Sequence, residues 1–505
     1  MSRGLPIELW RVIVSLLPSA EKRTCLLVCG VLHDIALPHV FRTVDLFLGS
    51  WYEARDPLQL DPHALDGIYL PPASTPDSHR RQQVSLEMLS RISSDSRFAG
   101  QVRAVNVGAF CCNHEVCSRG ISGLLADALR CLTALESFAY FGDHPVLSVE
   151  LFDALAAGSA KTLRHLRVPA GWNLDPRQLK ANLSLKSIII GRIRETDLEP
   201  YPPPPDSNLA KSAHAVRSLA DAGTKTLQRI RVPDFTWFTP AALSNLVEVE
   251  LTYLHGREVD INIVLTHFPR LRSLVLVSVE HRHVAPFGAH PTALPLLESL
   301  DISARYYIPV AHFKEFIVAK KHLRRLNVMT CDERVEILDL LPRLPRLEVL
   351  GLDLWCYEWT EELHEKLDKA LPAGLTALLI WDGMEESVVS KADWARLLQK
   401  RTALRYFHVL PETERDADIS AELLEHRPPS LELVGLGWKI RSVERLSESD
   451  SEPRDGDDAH THSYSEPWSL AKVWFRAAED FGDPDWEWLL RGHNASMFKT
   501  AHVLE

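Results

Sequence analysis

A chain of 505 residues, 46% hydrophobic and 25% charged, has ordinary globular composition and can hold several compact domains or one long repeat array. Its 68 acidic residues exceed its 56 basic ones, a net charge of −12, which argues against non-specific nucleic-acid binding, a mode that needs surplus Lys and Arg. No apolar run reaches the roughly 18 residues a membrane span requires. Residues Leu9 to Leu17 are interrupted by Arg11 and followed by Glu21, Lys22 and Arg23, unlike a secretory signal. Eight scattered cysteines suit a reducing compartment. The expectation is a soluble protein of the cytoplasm, the nucleus or both, without nucleic-acid or membrane partners.

Residues 1–46 predict three short helices. Pro6 opens the first, Leu9, Ile13, Leu16 and Leu17 line one face of it, and Pro18 ends it. Ser19 is the expected N-cap of a second that carries Leu26, Leu27 and Val28. A third holds Leu32, Ile35 and Ala36 and closes at Pro38. Helices this short bury too little to be stable alone. They either cap the segment that follows or dock a partner. Residues 47–95 read as a linker, in which 53–80 mixes Pro, Asp, Ser and His into a flexible loop.

From 96 to 440 the phrase x-x-Leu-x-x-Leu-x-Leu recurs, with first leucines at Leu163, Leu185, Leu227, Leu246, Leu271, Leu297, Leu323, Leu347, Leu375, Leu404 and Leu431, and weaker copies at Leu135 and Val102. From Leu246 onward the steps are 25, 26, 26, 24, 28, 29 and 27 residues. The last two apolar positions of a phrase alternate as a half-buried strand requires. Between phrases lie helical stripes such as Leu363, Leu367, Ala370 and Leu371. The pattern resembles leucine-rich repeats, whose period is about 20–29 residues. That resemblance implies an α/β solenoid, an irregular open horseshoe with a parallel concave sheet and convex helices. The family's Asn or Cys after the strand is met only by Cys331; Val279, Arg305 and Trp355 stand elsewhere. An insertion at 192–215 carries Pro202 to Pro205, expected as a polyproline-type loop.

In such repeats the residues between strand leucines point to the concave face. Read in order, that face runs from basic (His165, Arg167, Arg229, Arg231), through mixed (Glu248, Glu250, Ser299, Asp301, Arg325, Asn327), to apolar and aromatic (Val349, Leu379, Trp381, Tyr406, His408, Leu410, Leu433). The candidate substrate face is Arg167, Arg229, Arg231, Arg325, Leu379, Trp381, Tyr406 and His408. The arginines form either a solvated face or a site for an acidic or phosphorylated ligand. The aromatics either meet a partner or lie under the chain's own tail. That tail, 468–505, holds Trp468, Val473, Trp474, Phe475, Trp486, Trp488, Leu489 and Leu490. The acidic, nearly apolar-free segment 441–467 before it reads as flexible.

Catalytic chemistry is not visible. Cys111, Cys112, His114 and Cys117 form one metal-like cluster, but structural zinc sites pair two such knuckles. His114-Glu115 and His364-Glu365 lack the second histidine of a zincin motif. Glycine loops and nucleophile elbows are missing. The expectation is a non-enzyme with no metal and no cofactor.

The start of the chain adds a second resemblance. Leu5-Pro6, Leu27-Val28-Cys29 and Phe41-Arg-Thr-Val-Asp-Leu46 occur in that order ahead of the repeats. This resembles an F-box, as found in fungal F-box proteins with leucine-rich repeats. The basic residue and tryptophan often seen after the cysteine are here Gly30 and Leu32. The resemblance implies a substrate-recognition subunit of an SCF-type ubiquitin ligase: a Skp-family adaptor joins it to a cullin–RING ligase, and the repeats hold the substrate. Leu5, Pro6, Leu9, Ile13, Leu16, Leu26 and Val28 occupy the motif's apolar positions. The alternative is a non-catalytic repeat scaffold whose N-terminal helices only cap the array.

Overall fold

Each leucine phrase makes a strand whose two last apolar residues face the core while the residue between them faces the other side, as the period of two imposes. The computed structural model describes residues 5–17, 19–49, 76–110, 115–169, 183–190, 208–232, 238, 243–252, 259–304, 308–329, 336–354, 360–381, 391–410, 423–437, 439–445, 462–468 and 483–497. The chain divides into two compact units, the first of residues 1–231, 236–245 and 500–505, the second of 232–235 and 246–499.

The first unit opens with helices α1 (Ile7–Leu16), α2 (Ser19–Val28) and α3 (Gly30–Val40). Strands β1 (Thr43–Gly49), β2 (Ala104–Phe110), β3 (Ser137–His144), β4 (His165–Val168), β5 (Ser187–Ile190) and β6 (Arg229–Val232) follow, each parallel to the next. Helices α4 (Pro76–Ser94), α5 (Ser96–Ala99), α6 (Glu115–Cys131), α7 (Val149–Ser159) and α8 (Asn208–Ala222) connect them.

The second unit repeats the scheme. Strands β7 (Glu248–Thr252), β8 (Ser273–Val279), β9 (Ser299–Ala304), β10 (Arg325–Met329), β11 (Val349–Asp353), β12 (Ala377–Trp381), β13 (Tyr406–Leu410) and β14 (Leu433–Leu436) pair in parallel. Between them lie α9 (Val259–His267), α10 (His281–Ala289), α11 (Lys314–Val318), α12 (Glu361–Ala370) and α13 (Lys391–Gln399), with 3-10 turns at Val310–His312, Glu336–Asp339 and Leu341–Arg343. Strands β15 (Lys439–Arg445) and β16 (His462–Tyr464) close the unit antiparallel, and helix α14 (Pro484–Met497) ends it. The chain is therefore an α/β leucine-rich-repeat solenoid, with α-helices in some crossovers and short 3-10 turns in others.

Two devices repeat at the entry to each strand. The first leucines Leu163, Leu185, Leu227, Leu271, Leu297 and Leu404 are fully buried, each contributing about 1.5–3 kcal/mol. The residue after them offers its carbonyl to two consecutive N–H groups of the next strand. Arg164 O accepts from Lys186 and Ser187 at 2.7 and 3.0 Å, Arg272 O from Glu298 and Ser299 at 2.8 and 2.9 Å, and Arg324 O from Glu348 and Val349 at 2.9 and 3.1 Å. Three neighbouring pairs at that position carry opposite charges: Arg272–Glu298 at 3.2 Å, Arg324–Glu348 at 2.8 Å, and Arg405 with both oxygens of Glu432 at 2.9 and 3.0 Å. Exposed pairs of this kind contribute roughly 0.2–1 kcal/mol each. The inter-repeat ladder thus runs through strand entries; Cys331, the one match to the family's asparagine position, lies outside the described residues.

The expected boundaries shift at both ends. Residues 47–95, read as linker, contain the end of β1 and all of α4. Phe41-Arg42-Thr43-Val44-Asp45-Leu46 is itself a first copy of the phrase, since Val44 and Leu46 are buried and Arg42 O accepts from Arg103 and Ala104 at 2.8 and 2.9 Å. Buried Ser85 of α4 accepts the Phe47 N–H at 2.8 Å, occupying a donor of this first strand. Within 441–467, read as flexible, Val443 to Arg445 pair with His462 to Tyr464 because β15, with Ile440 buried, continues onto β14. Within the insertion, 208–215 begin α8; Pro202 to Pro205 and most of loop 53–80 lie outside the described residues.

One turn between repeats stands on a buried amine. Leu294 has a left-handed φ of 53°, a conformation that costs a non-glycine residue about 1–2 kcal/mol. Lys320, 3% exposed, donates to Pro291 O at 2.7 Å and Ala293 O at 2.5 Å and lies 3.8 Å from the centre of the Phe316 ring. Lys320→Met keeps the stem but strips two half-buried carbonyls of their donor, so about 1 kcal/mol of stability should be lost. Urea unfolding of the variant checks this.

Candidate functional site

Two surfaces stand out, one at each end of the chain. Helices α1–α3 build a small core from Val14, Ile35 and Ala36, packed by Trp10, Leu17, Cys25, Leu26 and Leu32. It joins the repeats through Phe41, whose ring meets Phe98 edge-on at 5.1 Å, with the Arg91 guanidinium 4.3 Å over Phe98. Many remaining apolar side chains face water: Leu5, Ile7, Leu9, Val12, Ile13 and Val31 are exposed, Val28 is 61% exposed, Leu16 79% and Leu27 88%.

The seven residues expected at the adaptor face therefore divide. Leu5, Pro6, Leu9, Ile13, Leu16 and Val28 face solvent, whereas Leu26 packs into the module's own core. Sequence reasoning did not single out Ile7, Val12 and Val31, and it placed Leu27 in the motif without assigning it to the adaptor face. The signal was present: α1 is apolar on more than one face, which a helix buried on one side does not need.

On the strands of the first unit, Arg167 stacks 4.1 Å over the Phe141 ring, Arg229 is half-buried and Arg231 is buried. Burial, with Arg229 and Lys186 nearby, holds His165 below its usual pKa despite Glu136. Arg167 and Arg231 both align with Ile189 of β5 between them, so the basic positions share one row.

Of the other expected face residues, Arg325, Leu379, Trp381 and Tyr406 lie beneath the tail, and His408 is buried beside Tyr406 and Gly437. Leu379 and Tyr406 share a buried cluster with Val349, Ala377, Leu410, Leu433, Ile440, Trp486, Trp488, Leu489 and Leu490, and Trp381 and Trp468 pack against it. Of the two readings of the aromatic patch, the structure takes self-burial. Asp483 caps α14, accepting the Asp485 N–H at 2.8 Å, and Pro484 sits at the first helical position. Asp485 takes both ends of the Arg324 guanidinium, at 2.6 and 2.7 Å, and also meets Arg325. Burial alone would raise the Asp485 pKa, but Arg324 and Arg325 hold it below the usual carboxylate value. Asp483 pairs with Arg405 at 2.8 Å, and that guanidinium lies 5.1 Å from the Trp486 ring. Gly351 admits the helix: a Cβ there would overlap Asn327 Oδ1 and stand 3.2 Å from Leu489.

Asp483, Asp485, Arg324 and Arg405 were not foreseen as site residues, although Asp-Pro-Asp ahead of Trp-Glu-Trp-Leu-Leu is a helix-start signature. Val473, Trp474 and Phe475 lie outside the described residues, as does most of the cysteine cluster (Cys111, Cys112 and His114). Among the described residues no His, Cys, Asp and Glu group is placed to hold a metal, and no helix is long and apolar enough to cross a membrane.

No protein-family model matches the chain, and no curated protein matches it. Solved structures do. They include the leucine-rich repeat-containing protein LegL7 from Legionella pneumophila, at 14% identity over 38% of this chain and 66% of that one, TM-score 0.28. The yeast Rad7 and Elc1 complex matches at 14% identity over 64% and 70%, TM-score 0.37. A TLR13–ssRNA13 complex matches at 16% identity over 68% and 55%, TM-score 0.30. The fold assignment stands on the strand pairing described above; these likenesses speak to nothing finer.

His408 gives the covered face a pH signature. Its Nε2–H donates to Gly437 O at 2.7 Å, so its bare Nδ1 accepts from the Tyr406 hydroxyl at 2.7 Å. Burial, against the Gly437 hydrogen bond, pushes its pKa down to about 4. Between pH 6.5 and 4 the unfolded chain binds a proton that the folded chain refuses, so stability should fall by up to about 3 kcal/mol as pH drops across that window. His408→Gln, which keeps a donor and an acceptor but cannot titrate, should flatten the slope in melting temperatures measured from pH 7 to 4.

Proposed function

We propose that the chain is the substrate-recognition subunit of an SCF-type cullin–RING ubiquitin ligase. In this reading α1–α3 dock a Skp-family adaptor, the strand face of the repeats holds a substrate protein, and the chain itself performs no catalysis. The observation that carries it is the apolar face left in water by α1 and α2, with Leu16 79% and Leu27 88% exposed. Burying one such side chain is worth about 1.5–3 kcal/mol, so a partner that covers several has a large driving force. The F-box-like order Leu5-Pro6, Leu27-Val28-Cys29 and Phe41 to Leu46 names the kind of partner.

The rival is an interaction scaffold whose first helices only cap the array. A cap would turn its apolar residues toward the repeats. Here β1 and α4 already occupy that position, with Ser85 on the Phe47 N–H, and the α1–α2 face is not spent on it.

The readings separate on one pair of variants. Leu9→Asp with Leu16→Asp should abolish co-purification with a Skp-family adaptor while the melting curve stays within about 0.5 kcal/mol, as exposed positions allow. Val14→Asp, in the module's core, should disrupt both. Failure of the unaltered, folded chain to capture any Skp-family adaptor would sink the proposal; a scaffold would show a loss of array stability on deleting residues 1–40 and no lost partner.

A further inference from the structure

Helix α14 lies on the strand face as a bound ligand would. Its cap and first turn carry two carboxylates that meet three guanidiniums, Asp485 on Arg324 and Arg325, and the capping Asp483 on Arg405. Trp486 follows with its ring centre 5.8 Å from that of Tyr406, and Trp488 lies beside the Arg325 guanidinium. Two of these arginines belong to the strand-entry ladder and are already paired there, Arg324 with Glu348 and Arg405 with Glu432. The helix thus borrows charges that the repeats do not need it to neutralise.

The fit is also incomplete. Asn327 Oδ1, Arg325 Nε and Trp488 Nε1 are all buried with no hydrogen-bond partner, although most buried polar atoms in folded proteins have one. All three sit where α14 crosses β10. An occupant with a donor for Asn327 Oδ1 and an acceptor for Arg325 Nε would pair atoms that α14 leaves unpaired.

We propose that the groove over β10 to β13 binds, in trans, an acidic–aromatic helix of a partner protein, with carboxylates in its first turn and aromatic residues directly after, and that α14 is its competitor in cis. Three guanidiniums select the carboxylates, Tyr406 and Leu379 make the apolar floor, and Gly351 gives the closest approach. Tethering places α14 at an effective concentration of about millimolar, so a partner needs either high affinity or a weakened tail. The inference extends the substrate role proposed above and rests on it, but its test contains no adaptor, so either can fail alone.

A fluorescent peptide of residues 482–497 is titrated by anisotropy into the full chain and into the Asp485→Ala/Trp488→Ala double variant. Binding at least tenfold tighter to the double variant is expected, and adding Arg324→Ala to that background should weaken it at least tenfold. Equal binding to both chains, or none to a double variant that still melts cooperatively, overturns the proposal. Hydrogen exchange on the unaltered chain guards against a variant that does not fold: α14 amides should open more readily than those of β10 to β13. Equal protection would make α14 part of the core and overturn the competitor role.

Discussion

Along most of the array the carbonyl of the residue after a phrase's first leucine holds two amides of the next strand, and the stacking of repeats depends on that contact. It recurs at Arg164, Arg272, Arg324, Glu348 and Arg405 whatever the length of the intervening crossover. Because the bond ties strand entry to strand entry, a crossover can carry a helix such as α12 or 3-10 turns such as Glu336–Asp339 and Leu341–Arg343 without shifting the register. The buried first leucine beside it excludes water, and an amide pair shielded from water has no competing partner. Burial and hydrogen bonding fall on neighbouring residues of the same phrase, so the repeat tolerates wide variation everywhere else.

The same position supplies function with its charges. Arg–Glu pairs at the strand entries of the second unit are partly exposed, and the tail attaches there: Arg324 and Arg405 each hold one ladder glutamate and one tail aspartate. An interaction that aligns repeats therefore also presents cations at fixed spacing. The N-terminal module follows the opposite logic. Its core is small, and its large apolar residues on α1 and α2 are left outward, a surface whose free energy is released only by a partner.

What could be read from the residues differed from one region to the next for physical reasons. Leu246 to Leu431 were legible because buried leucines at a constant phase are a one-dimensional signal that local chain order carries intact. The copy at Phe41 was hidden, since Phe replaces Leu and the next phrase at Val102 lies beyond a long interval containing α4. In the F-box-like module the apolar positions were legible but not their direction. Leu26 turns in and Leu27 turns out, and adjacent residues on a helix can be separated only by knowing which neighbour is present.

The residues by themselves determined the repeat, its strand pattern, the helical start and the aromatic composition of the last strand positions, because each follows from local periodicity and side-chain chemistry. Tertiary structure decided who covers whom. Asp483 and Asp485 meet Arg405 and Arg324 across 78 and 161 residues of chain, a pairing no local pattern encodes. The aromatic face of Leu379, Trp381 and Tyr406 is accordingly not open, as its sequence allowed, but held by the chain's own helix. Such long-range choices depend on the summed geometry of many repeats, and only the folded chain brings that geometry into existence.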